Sequence, residues 1–373
     1  MMITIVEALT KKQKTEFVKF PFSLYKDCPF WVPPLIADEL NSFDENKNPA
    51  FENAEAYFFL AYSNDKIVGR IAAIINWDEV RLQNKAKVRF GWFDVIDDVK
   101  VTEALLKKVI EVGQRNNLNY IEGPMGFSNL DKVGVITEGF NEIGSMITWY
   151  NYKYYAVHLE QLGYIIEKEY VENKFPFENV KLEFFEKAQE IIKKRYQVTA
   201  LNFTSTKKLL PYVDQMFDLF NASYANLSSF VAITTSQKEY FKKKYISFIN
   251  PEFIKFVVDK NNQLIAFSIV MPSFSEALQK ANGKLFPFGW YYLLKARNNA
   301  KTVLFYLIGV HPEYQNKGIH AVLFKENHKT FTEKGILNCI RTPELADNTA
   351  IQLLWKNFKP KVFRKRCTYT KAI

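Results

Sequence analysis

Apolar residues along the chain fall into two periodicities that succeed each other in a fixed order. Ala56–Tyr62 and Ile67–Asn76 are rich in β-branched and aromatic residues, and Asn64–Asp65 between them is turn chemistry, so this segment predicts a hairpin. Val88–Ile96 predicts a third strand. Val101, Leu105, Val109 and Val112 then recur at helical spacing within Val99–Asn116, with Asp97 or Asp98 as the N-cap. Asn119–Gly123 follows as a strand, Tyr154–Leu162 as a helix closed by Gly163, and Glu167–Phe175 as a strand before Pro176. Leu182, Phe185, Ala188 and Ile192 mark a connecting helix, and Val198–Thr204 a strand. Helical patterns cover Lys207–Tyr224 and Gln237–Ile249, and Phe253–Asp259 with Gln263–Met271 forms a second hairpin. The strand Val303–Val310, a helix Ala321–Lys334 ending at Gly335, a strand Ile336–Arg341, a helix Thr349–Phe358 and a strand Val362–Thr370 complete the chain. Each half reads hairpin, strand, helix, strand, helix, strand, which predicts two copies of one fold.

Length agrees with that division, since 373 residues make two domains of ordinary size. Hydrophobic residues at 48% and charged ones at 24% are globular values and exclude a disordered or fibrous chain. No apolar run approaches the ~18 residues of a membrane span, which leaves only peripheral contact with a membrane open. The start of the sequence lacks a basic leader, and Cys28, Cys339 and Cys367 fit neither a disulfide framework nor a metal knuckle. A cytoplasmic location is therefore expected. The net charge of +10 is uneven: residues 1–170 carry 19 Lys+Arg against 24 Asp+Glu, and residues 171–373 carry 31 against 16. An anionic partner should prefer the second half, although a lysine-rich solvated surface gives the same sum. No nucleic-acid signature accompanies the charge, so nucleic acid is not expected as a partner.

The densest chemistry lies in Leu307–Val322, LIGVHPEYQNKGIHAV. A strand runs through His311–Pro312 into Gln315, Asn316, Lys317, Gly318, Ile319, His320 and Ala321, and then into a helix. Such a strand–loop–helix aims backbone N–H groups at an anion, normally a phosphate, and Gly318 lets the ligand approach the backbone. The stretch resembles the cofactor loop of the GNAT acyltransferase superfamily, whose pattern is Gln/Arg-x-x-Gly-x-Gly/Ala. The resemblance implies that Gln315 through Ala321 wrap the pyrophosphate of an acyl-coenzyme A and that the backbone of Val310 pairs with its pantetheine arm. Asn348, followed by Ala350, Ile351 and Leu354, is similar to the superfamily's later helix, whose Asn touches pantetheine. Val362–Tyr369 matches its closing strand. The sequence departs from the pattern twice, with His320 where a second small residue is usual and Trp355 where many members carry a Tyr that protonates the leaving thiolate. An indole N–H is too weak an acid for that role.

Transfer to an amine rests on positioning and proton removal. The expected proton-transfer residues are His311, Glu344 and Tyr306, with Glu313 and Tyr314 nearby; His311 equally suits a turn, and Glu344 a helix cap. The corresponding place in the first half, Asp94-Val95-Ile96-Asp97-Asp98, has no glycine and three carboxylates. A pyrophosphate there meets like charge, unfavourable by more than ~1 kcal/mol per close pair, so this copy is expected to bind no cofactor.

Further segments resemble bacterial proteins built from two GNAT-like halves, some of them similar to ceramide synthases. These are Phe20-Pro21-Phe22-x-Leu24-Tyr25, Trp31-Val32-Pro33-Pro34-Leu35, Val68–Ala73, Gly123-Pro124-Met125, Phe127-Ser128-Asn129, Tyr150-Asn151, Tyr154-Tyr155 and Asn282–Gly289. Phe286, Phe288, Trp290, Tyr291 and Tyr292 suit either an acyl tunnel or a packed core. Arg70 suits an ion pair, a carboxylate clamp or an edge. Dinucleotide, phosphate-loop, zinc-protease and hydrolase motifs are absent, and no metal is expected. The expectation is an α/β chain of the α+β type with two tandem GNAT-like domains, 1–178 and 179–373. Each has a mixed, mostly antiparallel sheet flanked by helices. The expected activity is transfer of an acyl group from coenzyme A to a small-molecule or lipid amine, with a catalytically inactive acyl-coenzyme A-binding scaffold as the alternative.

Overall fold

The computed structural model describes residues 2–128, 130–180, 182–225, 230–246 and 249–373. Seven strands come from the first part of the chain: β1 Thr4–Glu7, β2 Ala54–Ser63, β3 Lys66–Asn76, β4 Lys87–Val95, β5 Tyr120–Gly123, β6 Val135–Glu138 and β7 Ile165–Pro176. Six follow: β8 Thr199–Asn202, β9 Ile254–Val258, β10 Leu264–Pro272, β11 Thr302–Val310, β12 Asn338–Leu345 and β13 Lys361–Ala372. They form one mixed sheet in the order β1-β2-β3-β4-β5-β13-β7-β12-β11-β10-β9-β8, with β6 paired to β13. The predicted hairpins are present, and Asn64 and Asp65 turn the first of them at φ 47° and 59°.

The repeated order holds, with one exchange that the sequence does not show. The last strand was expected to close its own half, yet β13 pairs with β5 of the first half, while β7 pairs with β12 of the second. β13 and β7 also pair with each other along most of their length, joining the halves into a continuous sheet. Buried arginines fasten this seam: Arg364 and Arg366, both on β13, reach Glu172 on β7.

Helices cover both faces. Asp98 caps Val99–Arg115 by accepting from the Lys100 N–H, and Val101, Leu105 and Val109 pack on the sheet. Gly69 lets this helix approach, since a Cβ there would stand 2.8 Å from Leu105 Cδ1. The helical pattern at 207–224 breaks into Thr206–Leu209, a 3-10 turn Leu210–Tyr212 and Val213–Tyr224, because Pro211 has no N–H to continue the ladder. Helices at Lys11–Leu24, Trp77–Leu82, Ser275–Ala281 and Gly289–Asn299 add to those predicted. Among the described residues no helix is long and apolar enough to cross a membrane.

A buried ion network sits where β4 and β5 begin to pair. Glu79 meets Arg89 at 2.7 Å and Lys87 at 3.1 Å, and Lys87 also meets Glu122 at 2.7 Å. Burial alone raises the Glu79 pKa, but the two cations more than offset it and leave it at about 2. Arg89 also donates to the carbonyls of Gly126 and Phe127, so the network holds the chain leaving β5.

Candidate functional site

In each half two parallel strands start together and then part. β11 pairs with β12 only from Thr302–Asn338 to Phe305–Arg341, and β4 pairs with β5 only from Lys87–Tyr120 to Arg89–Glu122. A bulge at Tyr306 between β10 and β11 shifts the register at that point. Beyond β11, Pro312–Tyr314 forms a 3-10 turn, and Asn316 and Gly318 take positive φ (59° and 77°) before the helix His320–Lys334. The N–H groups of Asn316, Gly318 and Ile319 donate to no backbone carbonyl among the described residues. These unpaired amides stand at the head of a fifteen-residue helix, a geometry that suits an anion.

The loop side chains divide by position. Gln315, Asn316 and Lys317 are exposed, with the Lys317 ammonium above the Tyr196 and Tyr314 rings. Ile319 and Ala321 turn into the core, and His320 lies against Phe324, where burial lowers its pKa. Gly318 is fixed from behind: a Cβ would stand 3.0 Å from Ile192 Cδ1. Asn348 caps its helix by accepting from the Ile351 N–H. The Val310 carbonyl accepts from Ser223 Oγ at 3.2 Å and Gln315 Nε2 at 3.3 Å, while the Tyr224 hydroxyl donates to the Ile308 carbonyl at 3.0 Å. Burial raises the Tyr224 pKa to about 12, keeping that hydroxyl a donor. The free edge of β11 is thus met by the end of the helix Val213–Tyr224.

The three expected proton-transfer residues are not brought together. The His311 N–H bonds the Ile265 carbonyl and its Nδ1 accepts from the Glu313 N–H, so it shapes the turn. Tyr306 packs on the sheet face opposite to Phe305, beside a small apolar cavity of about 40 Å³, and its hydroxyl donates to the Leu130 carbonyl. Glu344 alone stands in a polar cluster, paired with Arg341, a residue the sequence reading did not single out. Arg341 is fully buried at the last β11–β12 pair, and its guanidinium lies 4.9 Å from the Trp355 ring centroid. Burial pulls its pKa down, and the Glu344 carboxylate favours the cation. Period-two alternation was the available signal: Cys339 faces the core, and Arg341 has the same parity on β12.

Four buried donors around this pair lack an acceptor among the described residues: Arg341 Nη1, Asn173 Nδ2, Gln352 Nε2 and Trp355 Nε1. Asn173 is the β7 partner of Arg341, and Gln352 precedes Trp355 by one helical turn. Donors outnumber acceptors here, Glu344 being the one carboxylate at Arg341 among the described residues, a balance that suits a ligand rich in acceptors.

The first half closes the equivalent place differently. The Val95 N–H donates to the Tyr155 hydroxyl at 3.0 Å, and the Tyr154 hydroxyl donates to the Val95 carbonyl at 2.6 Å. Tyr25 bridges Tyr155 and Asp94, and Asp94 pairs with Arg70 at 2.7 Å. Asp94 is therefore a buried ion-pair partner, Asp98 a helix cap, and Asp97 a partner of His158. Tyrosine side chains fill the strand edge, rather than open carboxylates repelling a phosphate. Ser128 bonds Asp131, and Asn129 lies outside the described residues.

A solved tandem GNAT protein from the clavulanic acid biosynthesis pathway matches 100% of this chain and 98% of its own length, with TM-score 0.57 at 11% identity. The chain has a tandem GNAT fold. A GCN5-related N-acetyltransferase from Sphaerobacter thermophilus matches this GNAT fold at TM-score 0.52 and 9% identity, over 99% of this chain and 95% of its own. No family model matches the sequence. Among curated proteins, Protein YghO of Escherichia coli K12 is 28% identical over 320 residues, 84% of this chain and 80% of its own. The bacterial ceramide synthase of Caulobacter vibrioides is 22% identical over 320 residues, 84% of this chain and 82% of its own.

Proposed function

We propose that this protein transfers an acyl group from coenzyme A to an amine, with the thioester held by the second of two units, 1–178 and 179–373. The observation that carries the proposal is the parting of β11 from β12 at Phe305–Arg341, beside the free amides of Asn316, Gly318 and Ile319. A pyrophosphate suits those amides, and the extended arm suits the gap between the strands. The amine nitrogen attacks the thioester carbonyl, the C–N bond forms as C–S breaks, the amine proton passes to a base, and the sulfur leaves as thiolate and takes up a proton from that base or from solvent. Arg341 Nη1 is the charged donor for negative charge developing on the carbonyl oxygen or sulfur, whereas Trp355 Nε1 can donate a hydrogen bond but cannot protonate the leaving sulfur. Glu344 orients Arg341 and is the proton acceptor of the cluster. Likeness to the Caulobacter ceramide synthase supports a long-chain or lipid amine as acceptor. Binding without turnover is the second reading, favoured by Trp355 in place of a stronger acid.

Gly318→Val tests the loop. A β-branched side chain at φ 77°, against Ile192, costs on the order of 1–3 kcal/mol. Calorimetry should find coenzyme A binding weakened about tenfold or more, with the melting temperature lowered by no more than several degrees and the transition still cooperative. Unchanged affinity removes the loop from the proposal, while thiol release with an amine panel separates transfer from mere binding.

Tyr224→Phe tests the free edge of β11. Losing the bond to the Ile308 carbonyl should lower stability by about 1 kcal/mol, while coenzyme A binds more tightly because a competing donor has gone. Weaker binding would instead make the Tyr224 hydroxyl part of the site.

A further inference from the structure

Of the segment expected to line a tunnel or a core, Tyr292 packs on a core cluster with Leu293, and the other four aromatic residues do neither. Phe286 and Phe288 are 77% and 64% exposed, Trp290 and Tyr291 48% and 49%, and Leu294 45%. None of them lines the apolar cavity beneath Tyr306. Their exposure is built in: the other side of the helix Gly289–Asn299 carries Leu293 and Ala296, packed in one cluster with Val32, Leu35 and Leu278. Trp290, Tyr291 and Leu294 fall within a third of the helix circumference, centred opposite Ala296. Trp290 Nε1 donates to the Pro287 carbonyl at 2.9 Å, which fixes the turn carrying the two phenylalanines.

Charge identifies what such a face meets. After Glu276, the chain as far as Lys301 carries no Asp or Glu, and Lys280, Lys284 and Lys295 are exposed; Arg297 and Lys301 instead donate to the Ile249 and Lys334 carbonyls. Clustered large apolar side chains mark an interaction surface. A second copy of the chain docking face to face would set like charges against each other. An anionic layer with an apolar interior receives both features, lysines among its phosphates and aromatic rings at headgroup depth.

We propose that this face docks the protein on the surface of an anionic phospholipid bilayer. The proposal does not depend on the transfer reaction. Vesicle flotation of the full chain tests it, comparing phosphatidylcholine alone with phosphatidylcholine containing roughly a quarter phosphatidylglycerol. The expected result is flotation with the anionic vesicles, weakened by salt, and about tenfold less with Phe286→Ser/Phe288→Ser or with Lys284→Glu/Lys295→Glu. These positions are exposed, so the melting curves should match the wild type. No flotation, equal flotation with neutral vesicles, or variants that float like the wild type would each overturn the proposal. So would a monomer–dimer equilibrium abolished by Phe286→Ser/Phe288→Ser in a chain that ignores vesicles, which assigns the face to self-association.

Discussion

Arg341→Met is expected to slow acyl transfer about 100-fold while changing thioester affinity by less than about threefold, the pattern for a donor used mainly as charge develops. Methionine matches the length and apolar body of the side chain but leaves Glu344 without its cation, at a cost of up to about 3–5 kcal/mol, so Arg341→Met/Glu344→Gln, which removes both charges, is the folding control. Steady-state thiol release separates the two parameters, and calorimetry checks the affinity independently. Wild-type turnover in this variant would remove Arg341 from the chemistry. An equal loss in affinity alone would make it a binding residue. Glu344→Gln adds a control, because it leaves Arg341 in place without its carboxylate and should lower the rate less if Glu344 only orients the guanidinium.

Glu79→Ala is expected to give the largest loss of stability, about 3–5 kcal/mol, because it leaves Arg89 buried without its carboxylate. Urea denaturation followed by circular dichroism checks it, and a change below about 1 kcal/mol would show that the network reorganises. The sign with pH follows from the depressed pKa. The Glu79 contribution is complete above the usual carboxylate value of 4.5 and is lost as pH falls toward about 2. The difference between wild type and Glu79→Ala should therefore shrink across that interval.

The loop Gln315–Ala321 was legible because its chemistry is local: a strand end, a left-handed glycine and a helix start lie within a few residues. Trp355 was legible as a departure, yet its meaning was not, since the guanidinium above its ring arrives from β12. The tyrosines closing the first half were legible only as helix residues packed on a sheet. Asp94 was misread in detail, because its partner Arg70 stands 24 residues earlier in sequence and faces it across β3 and β4. The aromatic run at 286–292 misled for a related reason, as composition cannot say which side of a helix finds a core.

The sequence by itself determined the order of elements, the repeat of that order and the position of the loop Gln315–Ala321, because each depends on periodicity and turn chemistry among near neighbours. Only the tertiary structure decided that β7 and β13 change places between the halves. It also decided that Arg341, Glu344, Asn173 and Trp355 share one face, and that the aromatic side chains of Phe286, Phe288, Trp290 and Tyr291 stand in solvent. Strand exchange depends on pairs such as Glu172 and Arg366, 194 residues apart. No local pattern encodes a choice between two similar sheet edges, and burial of charge at the seam resolves it only once both halves are folded.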